Sequence, residues 1–242
     1  TDRPYWALGK GRSPDSIAFI QALRAEETGE TGKVTGGQIA DFNKFYERFD
    51  RDLLWERARA LPAPLPMPIV KVLSNYWKAP RILRHHGRLS TNFVYATLGI
   101  PAGSKFSDLA VRIYCMEAFD KFTYHNPAIL FSSYVDDNAM FASGTEEQVI
   151  AAVAKAANDF RSIAETDLKA RLAPDKLQTV ASTTSLQTKL AGRLGERTGK
   201  LSKQALWIGI DFAPGQSTKR GKKMLRLRLF QRRAKKLQRI RA

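Results

Sequence analysis

The residues of this sequence best suited to chemistry are acidic. Asp136 and Asp137 are adjacent in Tyr134-Val135-Asp136-Asp137, a polar turn between two apolar stretches within residues 128–142. Neighbouring carboxylates repel one another, and a fold that holds them together compensates with a divalent cation. The alternative is a plain polar turn, in which aspartate serves backbone hydrogen bonding. Asp41 bears on that choice, because it lies at the end of another apolar stretch, about 34–42, and is followed by Phe42-Asn43-Lys44-Phe45-Tyr46. Two strand ends can bring aspartates side by side at one end of a sheet. The resulting hard oxygen donors suit a pair of Mg²⁺ ions, with Mn²⁺ as a substitute, and such a pair supports in-line phosphoryl or nucleotidyl transfer.

The elements that must position these groups follow from Gly and Pro punctuation and apolar spacing. A helix is expected over 14–27, with Pro14 in its first turn, followed by a Gly/Thr loop over 29–37 that runs into the strand ending near Phe42. A helix over 52–61 gives way to the proline-rich connector 61–68, which cannot continue it. A helix over 69–78 and a hairpin over 81–91 around Gly87 come next, and the loop Gly99-Ile100-Pro101-Ala102-Gly103 opens a helix to about Phe122. Thr145 and Gln148 form a capping box for a helix to about Asp167, and strands are expected over 178–183 and 205–212. Helices alternate irregularly with antiparallel hairpins, so the fold class is α+β rather than a doubly wound parallel sheet.

Composition narrows the partners. The 242 residues carry 40 Lys+Arg against 23 Asp+Glu, a net charge of +17 that favours a polyanion. The excess is local: residues 219–242 hold 12 basic and no acidic residues, leaving 28 basic against 23 acidic upstream. Such a run is either a solvated terminal segment or a contact to a phosphate backbone. One cysteine, Cys115, excludes an internal disulfide, and three histidines exclude a Cys/His zinc site. No apolar stretch is long enough for a transmembrane helix and no signal peptide is apparent, so a soluble, intracellular protein with no membrane partner is expected. The start at Thr1, without Met, points to a processed or truncated product.

Taken in order, the segments resemble a reverse transcriptase, from about Tyr5 to the tail. The run from Asp41 through Phe45-Tyr46 to Asp50-Arg51-Asp52-Leu53-Leu54 is similar to the first palm motif of group II intron and related bacterial-type enzymes. Gly99 to Ser104, with Ser107, is similar to the family's Gly-x-Pro-x-Gly loop, and Tyr134-Val135-Asp136-Asp137 to its YxDD metal-binding hairpin. Leu172 to Lys176 resembles the segment whose lysine gives a proton to pyrophosphate, Leu206 to Ile210 the primer grip, and Gly11-Arg12-Ser13 the end of the fingers motif.

The resemblance implies a polymerase palm, a ferredoxin-like antiparallel sheet backed by helices, over 34–213 with a fingers-type insertion at about 62–95. Partial fingers would occupy 1–33, and the basic tail 214–242 would begin a helical thumb. It implies Asp41, Asp136 and Asp137 as catalytic metal ligands with the Phe42 carbonyl, and Lys176 as proton donor. Tyr46, Lys10, Arg12 and Ala102 would meet the nucleotide, with the Tyr46 ring excluding a 2′-hydroxyl. Gly103, Ser104, Trp207, Gly209, Arg226, Arg228, Arg232 and Arg233 would meet nucleic acid. The partners would be an RNA template, a DNA primer and deoxynucleoside triphosphates.

Four positions depart from the family pattern: Gly9 replaces an arginine, Ala102 a glutamine, Glu47 an aspartate, and Leu177 a threonine. The replaced arginine and glutamine, with the earlier fingers elements missing, motivate a second reading, a domesticated, catalytically impaired RNA-binding or scaffold protein. A third, an RNA-dependent RNA polymerase, is opposed by Tyr46. Of the remaining residues, His85 and His86 flank a hairpin tip, and Met116, Phe119 and Phe122 recur at helical spacing as core.

Overall fold

The computed structural model describes residues 3–7, 9, 11–62, 65–104, 106–201, 205–208, 210–216 and 223–227. In chain order the elements are α1 (Pro14–Glu30), β1 (Val34–Asp41), α2 (Phe45–Arg48), α3 (Arg51–Ala60), α4 (Met67–Lys78), β2 (Arg84–His85), β3 (Arg88–Leu89), α5 (Ser107–His125), β4 (Leu130–Tyr134), β5 (Asp137–Gly144), α6 (Glu146–Thr166), β6 (Gln178–Ala181), α7 (Thr184–Leu194), β7 (Lys200–Leu201), β8 (Ala205–Trp207), β9 (Ile210–Gln216) and β10 (Lys223–Leu227). The main sheet runs β4-β5-β1-β6-β7, antiparallel except for the parallel β6–β7 pair, and β8, β9 and β10 form a second sheet. This is the expected α+β class.

Helix starts follow their caps. Ser13 and Ser16 form a reciprocal capping box at α1, with Pro14 in the first turn. At α6 the Gln148 amide donates to Thr145 Oγ1 and the Thr145 amide to Gln148 Oε1, which is the box expected from sequence. Asp50 caps α3 by accepting from the Asp52 and Leu53 amides, each at 3.0 Å.

The sheet is covered on both faces. Ala40, Phe131, Met140 and Ala142 share a core with Phe119 and Phe122 of α5, Val153 and Phe160 of α6, and Leu186 and Leu190 of α7. Ile39, Ala139, Phe141 and Val180 pack against Ile17, Ala18 and Ala22 of α1, together with Trp207. Strand β1 is therefore buried on both sides, as a central strand between helical layers must be. Its glycines leave room for close neighbours, the α7 side chains at Gly36 and the β5 backbone at Gly37. A Cβ on Gly36 would lie 2.8 Å from Leu190 Cδ1, and one on Gly37 only 2.1 Å from the Met140 carbonyl oxygen. Beside β4, Ser133 donates to the Tyr5 carbonyl and the Ala7 amide donates to the Ser133 carbonyl, so the amino-terminal segment lies along this outer strand.

Several expected boundaries shift. Helix α1 runs on to Glu30, so the expected Gly/Thr loop shrinks to 31–33. Helix α4 begins at Met67 because Pro68 falls in the first turn, where its missing N–H is not needed. The single strand expected over 205–212 is a hairpin, β8 turning into β9. The described part of the tail is a strand and not the expected helix: β10 pairs with β9, with Arg226 opposite Ala213. Leu225-Arg226-Leu227 alternates with the period of a strand, a signal the charge run obscures.

Candidate active site

The site is built on a register. In the β1–β5 pair Asp41 lies directly opposite Asp137, and in the β4–β5 pair Tyr134 lies opposite Asp137. Two residues, Val135 and Asp136, turn β4 into β5, which puts all three aspartates at one end of the sheet. Val135 adopts φ 59°, a left-handed conformation that a β-branched side chain tolerates at a cost of about 1–3 kcal/mol. Buried Asn138 donates from Nδ2 to the Asp136 carbonyl at 2.7 Å and ties the turn down. Sequence reading missed Asn138, although asparagine beside a hairpin turn is a usable signal.

Electrostatics mark the same end. Burial, reinforced by the charge of Asp41, holds the Asp136 carboxyl above the ordinary carboxylate value. Burial, then the charges of Asp41 and Asp136, pushes Asp137 up to about 6. Both shifts disfavour ionisation in the absence of a counter-charge.

Lys176 reaches this cluster from a distant loop. The Asn43 amide donates to the Arg171 carbonyl at 2.7 Å and the Ala173 amide to the Asp41 carbonyl at 2.8 Å, making a short antiparallel bridge between Phe42 and Leu172. This pairing leads to Lys176, whose Nζ donates to Asp41 Oδ2 at 2.7 Å. That hydrogen bond raises the lysine pKa and keeps the ammonium protonated.

The fit to a metal is mixed in form but favourable in chemistry. Among the described residues no three or more His, Cys, Asp or Glu side chains group so as to hold a metal ion. The expected carboxylate set thus shares one sheet end without closing as a three-ligand group. Asp41 Oδ1, however, is buried with no hydrogen-bond partner, an acceptor that a cation would satisfy. The Phe42 carbonyl is not used in the bridge to Leu172, whose hydrogen bonds run through the flanking residues. Hard oxygen donors with raised carboxyl pKa values suit Mg²⁺.

An open cleft in front of this end is lined by residues 42–47 with Asp136, Ala173, Asp175 and Lys176. Tyr46 is half-buried there, and burial followed by the charges of Asp108 and Asp136 pushes its phenol up to about 12. The Ile100 amide donates to the Tyr46 carbonyl at 2.8 Å and the Gly99 amide to the Phe49 carbonyl at 2.9 Å, so the Gly-x-Pro loop docks on the tyrosine's own backbone. Gly99 adopts φ 81°, and a Cβ there would lie 2.6 Å from the Tyr46 carbonyl oxygen. Ala102 and Gly103 are exposed on this loop, with Ser104 partly buried beside them.

Other expected contacts are placed differently. Trp207 is 1% exposed and packs with α1 and Val180, so its ring is core and offers no face to nucleic acid. The Arg12 guanidinium donates to the carbonyls of Arg3 and Trp6, which holds the amino-terminal segment. Lys10, Gly209, Arg228, Arg232 and Arg233 lie outside the described residues, and Arg226 is placed only as a position on β10. No described helix is long and apolar enough to cross a membrane.

The family model described as "Reverse transcriptase (RNA-dependent DNA polymerase)" matches residues 9–212. No curated protein matches the chain. Among solved structures, apo telomerase from Candida tropicalis truncated from its C-terminal domain is similar at 13% identity and a TM-score of 0.54, over 83% of this chain and 38% of that one. A telomerase from Candida albicans in complex with the TWJ fragment of telomeric RNA matches at 12% identity and a TM-score of 0.47, over 81% and 32%. At this identity the first likeness is one of fold alone, and the chain spans well under half of either telomerase chain.

Proposed function

The family match covers most of the sequence, so the chain belongs to the reverse transcriptase family, and from that premise we propose that it extends a DNA 3′ end on an RNA template by two-metal nucleotidyl transfer. The observation that carries the proposal is the placement of Asp41 directly across from Asp137, with Asp136 in the adjoining turn. Asp41, Asp136, Asp137 and the Phe42 carbonyl are the groups that would hold Mg²⁺, or Mn²⁺ in its place. When bound, the ions activate the attacking oxygen and offset the charge of the leaving group.

The chain's own residues do the rest. Lys176 Nζ, kept protonated beside Asp41, delivers a proton to the departing pyrophosphate. The Tyr46 ring fills the space that a 2′-hydroxyl would need, selecting deoxynucleotides. Residues 102–104 line the template and nucleotide side, and the basic tail follows the duplex backbone. In this reading residues 1–33 are partial fingers, 34–213 the palm with an insertion at about 62–95, and 214–242 the approach to a thumb. The run from Asp41 to Leu54 and the YxDD turn support a group II intron or bacterial-type member.

A second reading has its own observation. Lys176 Nζ occupies Asp41 Oδ2, which suits a protein that neutralises its carboxylates without metal and keeps only RNA binding. Primer extension separates the two, using an RNA template, a DNA primer, Mg²⁺ and either deoxy- or ribonucleotides, with Asp136→Asn as control. Extension with deoxynucleotides alone, lost in the control, is the expected result. Salt-sensitive RNA binding without extension, persisting once fingers and thumb are supplied, would establish the scaffold reading.

A further inference from the structure

Among the described residues Arg51 is the one buried Lys or Arg. It stands at the start of α3, 5% exposed, where long charged side chains are rarely found. Among the described residues its guanidinium makes no ion pair. Instead Nε donates to the Gly99 carbonyl at 2.6 Å, Nη1 to Ala96 at 3.0 Å and Nη2 to Leu98 at 3.0 Å. Three consecutive sides of the planar fork thus grip one loop, an arrangement a lysine ammonium cannot reproduce.

That loop is the one docked on Tyr46. Gly99 is held on both sides, its amide donating to the Phe49 carbonyl and its carbonyl accepting from Arg51, and the Ile100 amide donates to the Tyr46 carbonyl. Ser107 Oγ adds a hold on the Pro101 carbonyl at 2.6 Å. Arg51 and Tyr46 belong to the same stretch of chain after Asp41, so the clamp ties the exposed tip at Ala102 and Gly103 to the wall that carries the tyrosine.

We infer that Arg51 is a positioning residue that clamps residues 96–104 against the Tyr46 backbone and thereby sets the nucleotide wall of the cleft. The inference rests on the polymerase reading for its effect on specificity, while the clamp itself does not depend on it. A buried charge satisfied only by carbonyls is a costly way to hold a surface loop, and it is reasonable where misplacement of about 1 Å matters.

The test uses Arg51→Lys, which keeps the charge and loses the fork, and Ser107→Ala, which removes the secondary hold. Hydrogen exchange read by mass spectrometry should show residues 96–104 exchanging about tenfold faster in Arg51→Lys, with α5 and the β1–β5 pair unchanged. In primer extension, the KM for deoxynucleotides should rise about tenfold, kcat should fall by much less, and preference over ribonucleotides should drop. Ser107→Ala should move both readouts the same way by a smaller factor, which covers a poorly folding lysine variant. Unchanged exchange in the loop overturns the clamp. Faster exchange with unaltered KM and sugar preference overturns its role in specificity. Absence of extension by the unmodified chain overturns the polymerase reading, and the exchange result then decides the clamp alone.

Discussion

Two groups of aspartates divide this molecule. Asp50, Asp120, Asp159 and Asp167, around the helices, each contact a cation: Lys169 at 2.7 Å, Arg3 at 2.8 Å, Lys155 at 2.6 Å and Lys121 at 3.0 Å. Burial pushes each upward, but hydrogen bonds and charge from these partners outweigh it and hold all four below the ordinary value. At the sheet end, burial and mutual repulsion win, and Asp136 and Asp137 stand above it. The first group contributes to stability. The second costs stability, and the family's chemistry supplies the reason a fold would keep it.

The sharpest way to break this comparison is Asp136→Asn. Extension should fall by about 10³-fold or more, while the metal-free protein should melt at a higher temperature because one repelling carboxylate is gone. A lower melting temperature would place Asp136 with the stabilising group. Lys176→Gln should slow extension by about 10²-fold in single-turnover kinetics, the usual contribution of a general acid. Tyr46→Val should lower preference for deoxy- over ribonucleotides by roughly thirtyfold, measured as the ratio of kcat/KM values, by opening space for one hydroxyl.

Acidity should act on the two groups with opposite signs. Asp137, moved from 3.8 to about 6, binds its proton more tightly folded than unfolded, so stability of the metal-free protein falls as pH rises from about 4 to 6. The paired aspartates have lowered folded values, so their contribution is complete above the unfolded value near 3.8 and is lost as pH falls through the lower folded ones. Thermal denaturation across pH 3 to 7 checks both, and Asp137→Asn should remove the descending slope. The smallest effect belongs to Asp120→Asn, which should lower stability by about 1 kcal/mol or less in urea and leave extension unchanged.

Much of the site was readable before the fold. Asp41 at a strand end and a polar turn between two apolar strands depend on apolar spacing; Asp41 stands where expected, and the turn expected over Val135 to Asn138 tightens to Val135-Asp136. Arg51 was not readable as anything but an ordinary helix-start arginine, because its role comes from carbonyls of a loop that pattern cannot bring near it. Trp207 shows the converse. Its place in an apolar strand was legible, but whether its ring met nucleic acid or core depended on α1 covering that face. In the tail, the family resemblance implied a helix along a duplex, whereas the described residues around Arg226 form a strand.

The sequence by itself determined the acidic residues, the caps at Ser13 and Thr145, and the α+β order, because each rests on contacts within a few residues. Tertiary structure alone decided that Asp41 faces Asp137 and that Lys176, 135 residues from Asp41, lies on its carboxylate. A one-residue slip of β5 would turn every one of its side chains to the opposite face. Only packing of both sheet faces against the helices excludes that slip, and no local rule encodes it.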